Sequence, residues 1–188
     1  MSKRFLFFGI FLFVLLQNIY ASEQFPDILV YKEKECAIGT YPMESYFAVH
    51  PTSLLPVYPE NSALKRGYRA KYEIVNNELI LIDLEIMRDN GKWRSVFKRY
   101  FGNKTPVKVD TFTGKINIFN GKETGVYMAF TPIHESYIII NIDAGNYIDE
   151  YNQSGAEFLQ SVIRSCQAGS YEHEYFSNLL EELSKSDE

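Results

Sequence analysis

The sequence predicts an α+β domain on a mostly antiparallel curved sheet or small barrel, with short helices along its length and two helices at the C-terminus. Three observations lead there. Residues 67–88 form two apolar-rich runs on either side of Asn76-Asn77, the pattern of a hairpin. Between residues 107 and 151, strand-sized apolar runs recur between Gly, Asn, Asp and Pro turn signals rather than between helical segments. After Ser154 the apolar spacing becomes helical and stays so.

The chain opens on Lys3 and Arg4, an apolar run from Phe5 to Leu16, and a polar stretch closing on Ala21. This is the three-part layout of a secretory signal, so residues 1–21 are expected to be removed and residues 22–188 to form a single exported domain. The apolar run falls short of the roughly 20 residues a membrane-spanning helix needs. Nothing later in the sequence is longer than a strand in its apolar content, so no membrane span is expected after signal removal. The expected compartment is the periplasm or the outside of the cell.

Strands are expected over Asp27 to Lys32 and Glu35 to Ile38, and a helical turn over Pro42 to Phe47, where proline is tolerated at the first position. Pro51, Pro56 and Pro59 then mark a surface loop. From Gly67, Tyr68, Ala70, Tyr72 and Ile74 alternate with Arg69, Lys71 and Glu73, which gives a strand one buried face. Asn76-Asn77 supplies two residues tolerant of positive φ. The return strand, Glu78 to Arg88, is expected to place Ile80, Ile82, Leu84 and Ile86 on one side, with Leu79, Leu81, Asp83 and Glu85 on the other, buried on both faces at first and on one later. Trp93 to Phe101 has near-helical spacing. Strands resume over Val107 to Asp110 and Lys115 to Phe119, and Asn120-Gly121 reads as the turn of a hairpin into Lys122 to Phe130. Ser136 to Asp143 and Tyr147 to Tyr151 complete the sheet. Ser154 is placed to cap a helix that Gly169 ends, and a second amphipathic helix follows.

Charge narrows the function classes. The formal net charge is −5, and losing Lys3 and Arg4 with the signal makes it −7, so nucleic acid is excluded as a general partner. Both cysteines, Cys36 and Cys166, lie in the exported part, where an even pair invites a disulfide. Their separation fits neither a redox CxxC nor a zinc site. No G-x-S-x-G elbow, phosphate loop or dinucleotide fingerprint is present, so no catalytic residue, metal or cofactor is assigned. Asp83 and Glu85 share a strand face but are accounted for by Arg69 and Lys71 across the hairpin. His50, His134 and His173 are scattered.

The basic knot Lys65, Arg66, Arg69 and Lys71 divides in two. Arg69 and Lys71 are what a half-buried strand shows to water. Lys65 and Arg66 precede Gly67 at a loop-to-strand junction, where function concentrates, and with Tyr68 they form the candidate binding site.

The segments PDILVYKEKE, YPMESYF, SALKRGYRAKYEIVNNELILIDLEI and VDTFTGKINIFNG, taken together, resemble a family of small exported bacterial proteins. That family carries the patterns P-D-x-L-x-Y-x-G-K, P-L-E-x-Y-F, L-W-R-G-Y-x-A-x-[WY]-E-I and D-W-F-x-G. The resemblance covers about Pro26 to Gly121 and implies no activity, cofactor or site residue. Lys65 and Thr111 stand where the pattern has tryptophan, and Glu33 where it has glycine.

Three function classes follow. The first is a non-enzymatic protein-binding module, inhibitor-like or immunity-like, with a protein partner. The second is a carrier of a small apolar or aromatic ligand in the mouth of the sheet, lined by Tyr68, Tyr72, Phe112 and Tyr127. The third and weakest is a hydrolase using Asp83, Glu85 or His134.

Overall fold

The computed structural model describes residues 24–50, 62–104 and 106–186. The expected signal peptide and most of the proline-marked loop lie outside the described residues. Nine strands form one sheet that returns on itself. In chain order they are β1 (Asp27–Tyr31), β2 (Lys34–Ile38), β3 (Arg69–Val75), β4 (Glu78–Met87), β5 (Trp93–Ser95), β6 (Val107–Lys108), β7 (Gly114–Met128), β8 (Thr131–Asp143) and β9 (Asn146–Ser154). The spatial order β3-β1-β2-β7-β8-β9-β4 is closed by the β3–β4 hairpin, while β5 and β6 attach to β4. All pairings are antiparallel except β1 with β3. The α+β sheet read from the sequence is thus a closed ring.

Two of the ring's joints are narrow. β2 meets β7 at the single pair Ile38 and Ile118, and β4 meets β9 at the single pair Glu78 and Asn146. Inside, the apolar faces of the strands form one cluster that includes Leu29, Tyr72, Leu84, Ile116 and Ile140, each fully buried. Helix α1 (Met43–Val49) and helix α2 (Phe97–Phe101) add Met43, Phe47, Phe97 and Phe101 to it. Helix α3 (Gly155–Ser165) and helix α4 (Tyr171–Ser186) cover the far half of the β7–β8 hairpin. There Leu159, Leu179 and Leu183 pack on Val126 and Ile133 as a second cluster.

Local chemistry explains most turns. Asn76 and Asn77 both take positive φ, at 51° and 62°, as the two-residue hairpin between β3 and β4 requires. Ala144 and Gly145 do the same between β8 and β9. Ser154 caps α3 in a full capping box: its hydroxyl accepts from Glu157 N, and the Glu157 carboxylate accepts from Ser154 N at 2.7 Å.

Four expectations are corrected. Leu79, Ile80 and Leu81 are buried, as expected for the start of β4, but the expected placement of Ile82 with Leu84 and Ile86 fails, because Lys71 pairs with Asp83 and Tyr72 with Leu81. The extra residue is a β-bulge that leaves Ile82 40 % exposed and turns Leu79, Leu81, Leu84 and Ile86 toward the same core. Asn120-Gly121 is not a hairpin. β7 runs through it to Met128 with register shifts on either side of Glu123, and the chain reverses at Ala129-Phe130, between the paired Met128 and Thr131. Trp93 to Phe101 is not one helix, since Trp93 to Ser95 pair with β4 and only Phe97 onward is helical.

The fourth correction is the disulfide. Cys36 and Cys166 are both free, Cys36 on β2 beside the main core and Cys166 at the C-terminal cap of α3. Helix α3 packs on the outside of the ring, whereas the β2 thiol lies against the cluster within it, so the two are held apart. Each thiol instead donates to a nearby carbonyl, Cys36 to Lys34 and Cys166 to Val162.

Candidate functional site

The basic knot is folded inward. Gly67 takes φ 78° and its N–H closes a turn onto Leu64, which swings Arg66 back across β1. There Arg66 Nη1 donates to Asp27 Oδ1 at 2.9 Å and Nη2 to the Phe25 carbonyl at 2.6 Å. The guanidinium also lies 3.6 Å from the centre of the Tyr41 ring. Only 10 % of the Arg66 side chain is exposed, and none of Asp27. The second Asp27 oxygen accepts from Tyr72 OH, the first also from Ala70 N, and Tyr72 OH accepts in turn from Met43 N. Tyr68 is buried as well and donates to Glu44 at 2.5 Å. Burial pushes the Asp27 carboxyl up from its ordinary value while Arg66 and the Ala70 N–H pull it back. Desolvation by burial lowers the Arg66 pKa, and Asp27 together with the Tyr68 and Tyr41 phenols more than offsets that, leaving it raised. Burial pushes the phenols of Tyr68 and Tyr72 up too, so both stay protonated donors.

Of the three expected binding residues, then, Arg66 and Tyr68 belong to a buried network tying β1, β3 and α1 together, and only Lys65 is exposed. Arg69 faces Glu85 at 2.6 Å, as strand alternation implies, and stacks over Trp93. Lys71 reaches Glu35 rather than Asp83, which accepts from Ser95 instead. Asp83 and Glu85 on β4 and His134 on β8 belong to strands that are not neighbours in the ring, and the histidine ring stacks on Phe119. Among the described residues, no group of three or more His, Cys, Asp or Glu side chains is arranged to hold a metal. The four residues expected to line a ligand-binding mouth do not share one surface: Tyr68 and Tyr72 are core, Phe112 packs against it, and Tyr127 is on the surface.

Two other features were not singled out in the sequence. The first is the edge of β9. On one side β9 pairs with β8 over its full length, from Asn146 opposite Asp143 to Ser154 opposite Ser136. On the other side it meets β4 at Asn146, and Tyr147 N donates to Asn77 O. From Ile148 to Gln153 that second edge has no backbone partner among the described residues. The same stretch exposes Ile148 (56 %) and Tyr151 (38 %), with Asp149 and Glu150 between them. Glu150 accepts from Tyr31 OH at 2.7 Å and from Lys32 at 3.3 Å, and Lys115 donates to Tyr151 OH. An open depression of about 360 Å³ between Tyr31, Lys32, Ile74, Tyr147 and Glu150 borders this strand.

The second feature is a cleft of about 220 Å³ on the outside of the ring, between Gln24–Pro26, the β2–α1 connection, the outer face of β7 and β8, and α3. Its walls are the rings of Tyr41, Phe119, Tyr137 and Phe158. Gly39 makes it possible, because a Cβ there would lie 2.9 Å from the Phe119 ring. The hint in the sequence was the unusual aromatic content; the pairing of these rings is set by the ring topology.

Comparison with known protein families, with curated proteins and with solved structures finds no match for the chain. No helix among the described residues is long and apolar enough to cross a membrane.

Proposed function

We propose that the protein is an exported, non-enzymatic binding module, inhibitor-like or immunity-like, that takes an extended segment of another protein as an added strand along β9. The observation that carries this reading is the open edge from Ile148 to Gln153. A row of unpaired N–H and C=O groups offers main-chain hydrogen bonds to any extended chain, and side chains beside it set the choice. Export rests on the charged, apolar and small-residue order of residues 1–21.

Charge selects the occupant. Asp149 and Glu150 stand together in the middle of the edge, in a chain of net charge −5. Antiparallel pairing of two copies through these strands would set carboxylates opposite carboxylates, which is unfavourable. A partner strand with lysine or arginine at its centre meets Asp149 on one face with attraction, while Glu150 on the other face is already paired with Lys32. Ile148 and Tyr151 supply apolar contact on either side.

Hydrogen exchange tests this with two nine-residue peptides, one alternating valine and lysine, the other valine and glutamate. Slowed exchange at the amides of Ile148 to Gln153 with the lysine peptide only is the expected result. Equal protection by both peptides would remove the charge argument and leave the edge. No protection by either would remove the edge reading itself. The intact mass of periplasmic protein tests export separately: a chain beginning at Ser22 is expected, and one retaining Met1 in the membrane fraction overturns it.

A further inference from the structure

We infer that the cleft between β7, β8 and α3 is a binding site for a neutral aromatic molecule of one or two rings that carries a hydrogen-bonding group. The site is separate from the β9 edge, so neither depends on the other.

Three observations fix the ligand's chemistry. The walls are aromatic: Tyr137 and Phe158 stack with ring centres 4.3 Å apart, Phe119 meets Tyr137 edge-on with centres 6.2 Å apart, and Tyr41 also lines the cleft. A lining of four aromatic rings favours a flat guest, which can stack offset on a ring face or meet a ring edge. The size is right for a small one, since an enclosed apolar cavity of about 150 Å³ takes benzene and this cleft holds about 220 Å³. Finally, no side chain lining the cleft is charged. An ion entering it would lose water and gain no counter-charge, which selects against carboxylates and amines.

Asn117 supplies the polar contact. Its backbone is used by the β2–α1 connection, accepting from Gly39 N and donating to the Thr40 hydroxyl. Asn117 lines the cleft, and its side-chain amide has no hydrogen-bond partner among the described residues. An amide offers both a donor and an acceptor, so a phenol hydroxyl or an indole N–H fits equally well. Behind Tyr41 the Arg66 guanidinium holds that ring in place, so this wall is already formed before a ligand arrives.

The test is a titration of the unaltered protein followed by amide NMR, with phenol, indole, toluene and benzoate as probes. Saturable shifts for phenol and indole, centred on Gly39, Asn117, Phe119 and Tyr137, are expected. Benzoate should bind at least about tenfold more weakly than phenol. Asn117→Ala should reduce the preference for phenol over toluene by about fivefold, the worth of one neutral hydrogen bond, without changing toluene binding. Shifts that do not saturate, that map elsewhere, or that are equal for benzoate and phenol would overturn the inference. Because the decisive comparison uses the native chain, a poorly folded Asn117→Ala would not rescue it.

Discussion

At the residue scale, Arg66 shows how a charge read as functional can be structural. Its partner Asp27 lies 39 residues earlier, and the pair is shut between β1, β3 and the Tyr41 ring. Removing the guanidinium leaves a fully buried carboxylate without its counter-charge, so Arg66→Ala should cost about 3 to 5 kcal/mol in urea unfolding. The neighbouring Lys65 is exposed, and Lys65→Ala should stay within about 0.5 kcal/mol. Equal effects from the two would mean that Arg66 is not held as described. A second test lies in the β1–β2 turn, where Lys32 and Glu33 take φ of 48° and 65°. A glycine suits that backbone better than Glu33 does. Glu33→Gly should raise stability by about 0.5 to 1 kcal/mol, and a loss would show that the Glu33 side chain has a role of its own.

At the element scale, legibility follows from whether the deciding contact is local. The Asn76-Asn77 turn and the Ser154 cap were readable because a turn needs only two tolerant residues and a cap only a hydroxyl three positions before a glutamate. The β7–β8 reversal was not readable. Gly121 takes φ 77°, as a hairpin glycine would, but a bulge asks for the same conformation, and only the pairing with β8 distinguishes them. The true reversal uses Ala129 at φ 57°, a residue with no turn preference. The open edge of β9 was hidden for a related reason, since whether a strand has one neighbour or two is decided by elements far away in the chain. The capping box gives a test with a definite sign. Hydrogen bonds from the Ser154 N–H and hydroxyl hold the Glu157 carboxyl below its ordinary value. A lowered folded-state pKa contributes stability above the unfolded value and loses it as pH falls through the folded one. The destabilisation caused by Glu157→Gln should therefore be present at about pH 6 and fade as pH falls below the ordinary glutamate range. A difference in thermal midpoint that persists unchanged into acid would show that the ionised carboxylate is not what caps α3.

At the scale of the whole molecule, the ring depends on its narrow joints and not on a covalent tie. With Cys36 and Cys166 free, thiol titration of unfolded, unreduced protein should find two reactive groups, and finding none would restore the bridge. The joint between β4 and β9 carries the closure instead. Leu79 N donates to Gly145 O, Gly145 N donates to Phe112 O, and Val109 N donates to Leu79 O, so one corner binds β4, the segment after β6 and the β8–β9 turn. Gly145 sits there at φ 73°, and a Cβ would lie 2.6 Å from the Val109 carbonyl oxygen, which is backbone and has little freedom to move. Gly91 offers a matched control: its φ is 74°, and a Cβ there would meet nothing within 4 Å. Gly91→Ala should therefore cost only the roughly 1 kcal/mol of an alanine forced into left-handed backbone. Gly145→Ala carries that same strain plus the roughly 1 to 3 kcal/mol of overpacking, so it should cost at least about 2 kcal/mol. Its amide exchange should also quicken at Leu79 and Val109, on the two sides of the joint, more than at Ile140 in the middle of β8. Equal losses for the two alanines would show that the corner is loose and that the ring is held closed elsewhere.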